Sequence, residues 1–237
     1  MKDSTLSLKE NLSKIKDHRV DTTREQPPEI GACWRSLLPP PQIYPAGIGL
    51  FSQGANPQEA YFVDSGLVKL VWVDSHGHEF IVGLRYPNTC LGLAPVILNS
   101  SHPVSAITMA QSKLVRVPAN LLLSLIKNNP DISSAAQEML SREVCDQATR
   151  MAELGCLSSR QRVKKMLRQI VHSCQQDIRK PQREVRFLLP LRQCELASML
   201  AVTPEHLSRI LKQLRQEGII RWHKGWLEVP DLSRLQG

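Results

Sequence analysis

Residues 193–220 read QCELASMLAVTPEHLSRILKQLRQEGII, and this stretch decides the fold of the carboxyl-terminal part of the chain. Its pattern predicts two short helices separated by a tight turn at Ala201. The hydroxyl of Thr203 can accept an unpaired backbone N–H at the start of the second helix, and Pro204 fits the first helical position because no N–H is needed there. Gly218 suits the left-handed residue that ends a helix. The stretch therefore predicts a helix-turn-helix.

The second helix of this motif is amphipathic. Its apolar stripe contains Leu207, Ile210, Leu211 and Leu214. The opposite face presents a carboxylate, a hydroxyl and a guanidinium, which are groups that can read base edges in the major groove of DNA. The residues predicted to contact DNA are Arg192, Thr203, Glu205, His206, Ser208, Arg209 and Lys212.

Two β-prone runs, at residues 219–222 and 226–229, follow the motif and predict a hairpin, or wing. Residues 150–237 contain 17 Lys and Arg against 8 Asp and Glu, whereas residues 1–149 contain 13 against 14. A basic field that coincides with a helix-turn-helix indicates phosphate binding, with Arg160, Arg162, Lys164 and Lys165 as candidate contacts. The alternatives are an ordinary helical hairpin with solubilising charges, or a patch for a membrane surface.

The length of 237 residues predicts one medium and one small domain. No run of about 18 apolar residues is present, and the amino terminus has no apolar segment typical of a secretory signal, so we expect a cytoplasmic protein without membrane partners. The six cysteines form no CxxC pair, which favours free thiols. They are Cys33, Cys90, Cys145, Cys156, Cys174 and Cys194.

The central region predicts a β-roll or barrel, because short β-prone runs alternate with Gly, Pro and Asn. The predicted strands cover residues 48–51, 60–63, 67–73, 80–84, 106–109 and 114–117, and a short helix is predicted at 119–127. The expected organisation is α+β. It comprises a leader (1–28), a β-roll sensory domain (29–128), a long dimerisation helix and hinge (129–155) and a winged helix-turn-helix domain (156–237).

The segment from Ile132 to Leu154 contains no Pro or Gly, and its apolar residues recur every three or four positions. It predicts a helix of about 35 Å that ends at a hinge near Gly155. Such a helix favours a dimer seam, because helix-turn-helix proteins usually read two half-sites about 34 Å apart. The predicted seam residues are Ile132, Ala136, Met139, Leu140, Val144 and Met151. The alternative is an amphipathic helix lying on its own barrel.

Three strings in this order of parts resemble the CRP/FNR family of bacterial transcription regulators, over about residues 40–236. They are TPEHLSR in the second helix of the motif, YFVDSGLVKL at residues 61–70 and RVPANLLLSLIKNNPDI at residues 116–132. The resemblance implies a homodimer that binds double-stranded DNA and acts with RNA polymerase. Glu205, Ser208 and Arg209 stand where the FNR branch has Glu, Ser and Arg, which implies a TTGAT-like half-site in an inverted repeat.

The same resemblance indicates what the sensory half lacks. Cyclic-nucleotide members carry a Glu for the ribose and an Arg-Ser or Arg-Thr pair for the phosphate. In residues 91–106 of this chain Leu93 replaces the Glu and Pro103–Val104 replaces the Arg and Ser, so cyclic AMP binding is not expected. Iron–sulfur members need four ligands, and only Cys33 and Cys90 are available in this half. We predict no cofactor.

Other chemistry is open to a few side chains. Haem is an alternative cofactor whose candidate axial ligands are His76, His78, His102 and Cys90, but turn and core roles are favoured for these residues. Cys194 lies beside Arg192 in a basic field that favours a reactive thiolate. We therefore consider two roles for it, a redox switch and an inert packing residue.

Two other classes of function compete with a DNA-binding regulator. A cupin-like metal enzyme is suggested by His76, His78 and Glu79, but Glu79 points away from the two histidines in a strand. The third hypothesis is a β-roll that only binds proteins, joined to a winged helix that does not bind DNA. Sequence-selective, salt-dependent duplex binding would distinguish the regulator from both.

Overall fold

The computed structural model describes residues 37–175, 185–188, 191–223 and 226–235, with backbone only at 172–175 and 185–188. The predicted leader and Cys33 lie outside this description, and of Cys174 only the backbone is described. Eight strands in the described residues form two four-stranded antiparallel sheets, with strand orders β1-β8-β3-β6 and β2-β7-β4-β5. The strands are β1 (Gln42–Tyr44), β2 (Gly49–Phe51), β3 (Glu59–Ser65), β4 (Val68–Val73), β5 (Glu79–Arg85), β6 (Cys90–Leu91), β7 (Ser105–Thr108) and β8 (Ser112–Pro118). The predicted β-roll is confirmed, and β1 and β6 are additions that the sequence pattern did not predict.

Strand β3 shows how the roll divides its apolar side chains. Tyr61 and Val63 point into the roll and join an interior cluster. The alternate residues, Ala60 and Phe62, belong to a second cluster that includes residues of the helices after β6 and β8. Because successive side chains of a strand point to opposite faces, one strand serves both cores.

Three helices pack against the roll. They are α1 (Leu93–Leu98), α2 (Ala119–Asn128) and α3 (Pro130–Cys156). Asn129 caps α3, since its side chain accepts the backbone N–H groups of Asp131 (3.1 Å) and Ile132 (3.3 Å). Helix α3 has 27 residues and a length of about 40 Å. It passes through Gly155, so the chain leaves the helix at Leu157, later than the predicted hinge.

The first turns of α3 correct the predicted dimer seam. Ile132 and Ala136 are only 0% and 2% exposed and pack in the apolar cluster with Phe62 and Leu122. Side chains buried in this way within one chain are not available to a second chain. For this part of the helix, the alternative of a helix lying on its own barrel holds, because periodicity identifies an apolar face but not its partner.

The carboxyl-terminal part is a three-helix unit with a small sheet. Its elements are α4 (Ser159–Gln175), β9 (Val185–Leu188), α5 (Gln193–Met199), α6 (Pro204–Gln216), β10 (Arg221–His223), β11 (Trp226–Val229) and a 3₁₀ helix (Leu232–Leu235). The predicted wing hairpin is confirmed by the pairing of β10 with β11, although residues 224 and 225 at its tip are outside the description. Strand β9 adds a third strand beside β11. In the described part of the chain no helix is both long and apolar enough to span a bilayer.

Candidate nucleic-acid interface

The second helix of the motif, α6, begins as its sequence predicts. Thr203 Oγ1 accepts the backbone N–H of His206 (3.2 Å), and Pro204 occupies the first helical position. The apolar stripe is at most 4% exposed and closes the core of the three-helix unit; it consists of Leu207, Ile210, Leu211 and Leu214. Burial of this stripe fixes the rotation of the helix and therefore determines which side chains face outward.

The outward face of α6 carries the predicted base-reading residues. Glu205, Ser208, Arg209 and Lys212 are all exposed, and His206 is partly buried beside them. Across the described residues, none of the four exposed side chains forms a hydrogen bond or an ion pair with another part of the chain. A guanidinium and a carboxylate one turn apart on an exposed helix face can bind base edges without first breaking an internal contact.

The turn between α5 and α6 contains a strained residue. Ala201 has φ = 51°, in the left-handed region where a Cβ meets steric cost. The turn is closed by backbone hydrogen bonds, including Val202 N–H to Ala197 C=O (3.0 Å). At the other end of α6, Gly218 takes φ = 66°, as predicted for the residue that ends this helix.

Replacing Ala201 by glycine is expected to stabilise the protein by about 1 kcal/mol, because glycine adopts a positive φ without the cost borne by alanine. The measurement is the urea concentration at the midpoint of unfolding, with unfolding monitored by circular dichroism. The control is Ala152→Gly on the exposed surface of α3, which should destabilise by about 1 kcal/mol because the site is helical. A lower midpoint for the Ala201 variant would show that the turn is not strained.

The start of α5 combines an exposed cation with a capping carboxylate. The backbone N–H of Arg192 donates to Glu195 Oε2 (2.9 Å), while the side chain of Arg192 is 77% exposed. Its guanidinium lies 3.6 Å from Glu195 Oε2 and forms an exposed ion pair with the capping carboxylate. Cys194, the proposed redox residue, is a free and exposed cysteine on the same helix.

An ion pair joins α5 to the roll. Lys69 Nζ on β4 donates to Glu195 Oε1 (2.6 Å), and both side chains are nearly buried. Burial opposes ionisation of Glu195, but the hydrogen bonds from Lys69 and from the Arg192 backbone outweigh it and lower the pKa of Glu195. The carboxylate therefore holds the roll and the first helix of the motif together in its ionised form.

Hydrogen bonds at the carboxyl end of α5 extend this contact. Ser198 Oγ accepts the backbone N–H of Ile81 on β5 (3.2 Å), and Arg150 of α3 donates to the carbonyl oxygen of Met199 (3.0 Å). Ile81 and Val71 of the roll also enter the apolar core of the three-helix unit. The helix-turn-helix is consequently seated on the outer face of β4 and β5, in a contact that the sequence did not predict.

Several cations predicted to bind phosphates have internal partners instead. Arg162 donates to the carbonyl oxygens of Leu157 (2.9 Å) and Leu200 (3.1 Å), which is a structural role and corrects the prediction for this residue. The other internal ion pairs are Arg160 with Glu217 and Lys165 with Glu153. Phosphate binding by Arg160 or Lys165 would have to compete with these pairs.

Two of the predicted haem candidates in the roll have packing roles. His102 is 2% exposed, and its ring stacks on Phe51 with centroids 3.9 Å apart; burial lowers the pKa of His102. Cys90 contacts the apolar cluster below α1, and burial raises the pKa of its thiol, which disfavours the thiolate that a metal requires.

The other two candidates, His76 and His78, lie in the exposed turn between β4 and β5. The carboxylate next to these two histidines is that of Asp74. Glu79, the third member of the suggested cupin triad, is already the first residue of β5. The triad is therefore not assembled as the cupin reading requires.

A β-roll, a long helix and a winged helix-turn-helix with an open polar face define a two-domain DNA-binding regulator. The carboxyl-terminal residues 161–237 match the Crp-like helix-turn-helix domain, and residues 41–129 match the cyclic nucleotide-binding domain. The chain belongs to the CRP/FNR family of transcription regulators.

Named relatives cover most of the chain. It is 25% identical to a cyclic AMP receptor protein of Thermus thermophilus (82% of this chain, 86% of the relative). It is 28% identical to a probable transcriptional activator of Rhizobium leguminosarum (81% and 78%). A solved CRP/FNR-family regulator from Thermus thermophilus has the same fold, with a TM-score of 0.69 at 21% identity (83% and 96%).

Proposed function

We propose that this regulator binds, as a homodimer, an inverted repeat of TTGAT-like half-sites through the outward face of α6. The observation that carries the proposal is the exposure of Glu205, Ser208 and Arg209, in the order and spacing of the FNR branch, on a helix whose rotation is fixed by its buried stripe. Arg209 is assigned to guanine and Glu205 to cytosine N4. Arg192, Thr203, His206 and Lys212 are assigned to the flanking backbone.

The dimer is proposed to form along the second half of α3. Val144 and Met151 are 68% and 74% exposed, and Ala148 lies between them on the same side of the helix. Exposed apolar side chains at this spacing support a seam with a second copy, which also takes in Met139 and Leu140 at the border of the roll. In this proposal the seam occupies the second half of the segment 129–155, and RNA polymerase is the partner on DNA in the cytoplasm.

For the roll we propose that cyclic AMP is not the effector. The chain has no Lys, Arg, Asp or Glu between Tyr86 and Ser105, the region in which family members bind the ribose and phosphate. Leu93 and Val96, which stand in that region, are buried in the apolar cluster below α1. A cyclic phosphate placed there would lack a cationic partner.

The test is fluorescence anisotropy of the reduced protein with a TTGAT-N4-ATCAA duplex and a scrambled duplex over a salt series. The specific duplex is expected to bind at least about a thousandfold more tightly, and both affinities should fall with salt because phosphates are neutralised. Adding cyclic AMP should leave both curves unchanged. Equal binding of the two duplexes, with or without cyclic AMP, would contradict the proposed half-site.

A further inference from the structure

The turn between β4 and β5 brings together, on the surface, three side chains of types that can ligate a metal ion. Asp74, His76 and His78 each offer one donor atom, and these atoms all lie within 4.8 Å of one another. The two imidazole rings stack on the same side of the turn, with centroids 6.1 Å apart. Two imidazoles and one carboxylate form a donor set that late divalent transition ions prefer.

The backbone of the turn orients the carboxylate. Asp74 Oδ1 accepts the backbone N–H groups of His76 (2.8 Å) and His78 (2.9 Å), so this oxygen is engaged in the turn itself. The turn is closed further by Asp74 N–H to His78 C=O and Gly77 N–H to Asp74 C=O, both at 3.1 Å. The second oxygen, Oδ2, consequently points at the imidazoles, 2.9 Å from His78 Nδ1 and 4.0 Å from His76 Nδ1.

The two histidines are accessible as well as close. Their side chains are about four-fifths exposed, at 78% and 81%, so an ion can reach them from solvent. Ligands of a tetrahedral zinc ion at about 2.0–2.2 Å from the metal lie roughly 3.3 Å from each other, so the donor atoms need only small side-chain rotations to converge. The strands β4 and β5 hold the two ends of the turn in register, with Val73 opposite Glu79.

We propose that Asp74, His76 and His78 bind one divalent late-transition ion per chain, Zn²⁺ being the physiological candidate. Asp74 Oδ2 and one nitrogen of each imidazole are the protein ligands, and water completes the shell. Neither the outward face of α6 nor the seam on α3 takes part in the site. Failure of this inference would therefore leave the proposed DNA function untouched.

The experiment is a titration of the full-length reduced protein with ZnCl₂, monitored by NMR through the histidine Cε1–H resonances. This readout is specific for imidazole and is not affected by zinc on the exposed cysteines. At one equivalent per site, the resonances of His76 and His78 should shift, while those of the five other histidines should not. Single His→Ala variants assign the two signals.

Three variants separate ligation from turn structure. Loss of an outer-shell partner already costs about 10- to 100-fold in metal affinity, so loss of a direct ligand in His78→Ala should weaken the His76 response by about 100-fold. Asp74→Asn keeps an oxygen for the two turn hydrogen bonds but removes the charged ligand, and should weaken binding by roughly tenfold. Glu79→Gln, at the exposed first residue of β5 and outside the three-residue cluster, should bind as the wild type. The inference is overturned if neither His76 nor His78 responds to zinc, or if Asp74→Asn and His78→Ala bind as tightly as the wild type.

Discussion

Replacing Arg209 by alanine is expected to weaken binding to the TTGAT-containing duplex by about 1–3 kcal/mol per half-site, or roughly 5- to 150-fold. The reason is that the guanidinium stands exposed on the outward face of α6, where a bidentate pair with guanine can form. Its removal should also flatten the preference among duplexes that differ at the guanine position. The measurement is anisotropy with the parent duplex and with the three substitutions of that base pair.

Lys212→Ala is the matched control for this prediction. Lys212 is exposed on the same helix, one turn later than Ser208, and carries the same charge as Arg209. Since a phosphate contact holds no sequence information, its loss should weaken all duplexes about equally. It should also reduce the slope of log affinity against log salt by about one per half-site, or about two for the inverted repeat. If Arg209→Ala instead weakens every duplex equally, Arg209 is a phosphate contact and base reading lies elsewhere on the helix.

The helix-turn-helix could be predicted from the sequence because its determinants are local. Thr203 caps a helix that starts at the next residue, and Gly218 ends it, so each signal lies within one turn of its effect. The strain at Ala201 could be predicted in the same way, because the turn of this motif commonly has glycine and an alanine with a positive φ meets a steric cost. The same logic held for the roll, where runs of β-prone residues between turns located six of the eight strands.

The seating of this motif on the roll was not predictable in the same way. Lys69 and Glu195 are 126 positions apart, and neither residue has a sequence neighbour that indicates its partner. From the sequence Arg150 could be identified only as a charged residue, because its hydrogen bond at the carboxyl end of α5 depends on the path of α3. A pairing of this kind requires the tertiary fold, because propensity and periodicity describe a single segment.

Helix α3 illustrates the same limit within one element. Ile132 and Val144 belong to the same predicted stripe, yet Ile132 is fully buried on the roll and Val144 is 68% exposed. In its second half the helix contacts the roll through polar side chains, Glu143 with Arg85 and Arg150 with the carbonyl oxygen of Ile81. The apolar stripe is left facing away from the chain's own core. The face that remains uncovered is where a second copy is expected to bind.

Met151→Asp is therefore expected to convert the dimer to a monomer and to reduce affinity for the inverted repeat by about a thousandfold, toward the nonspecific level. The substitution places a carboxylate in an apolar seam, and two-fold symmetry brings the same charge from the partner close to it. One helix-turn-helix alone would neutralise half the phosphates, so the salt slope should also fall by about half. Sedimentation velocity gives the oligomeric state, and anisotropy on the same samples gives the affinity.

Thr149→Asp provides the matched control, because it adds the same charge to an exposed position of α3 about 160° around the helix from Met151. This variant should remain dimeric and bind the inverted repeat as the wild type does. Val144→Asp, two turns earlier on the exposed stripe, should reproduce the effect of Met151→Asp. If both stripe variants stay dimeric, the second half of α3 is not the seam; if they become monomers that keep full affinity, the regulator does not need two recognition helices.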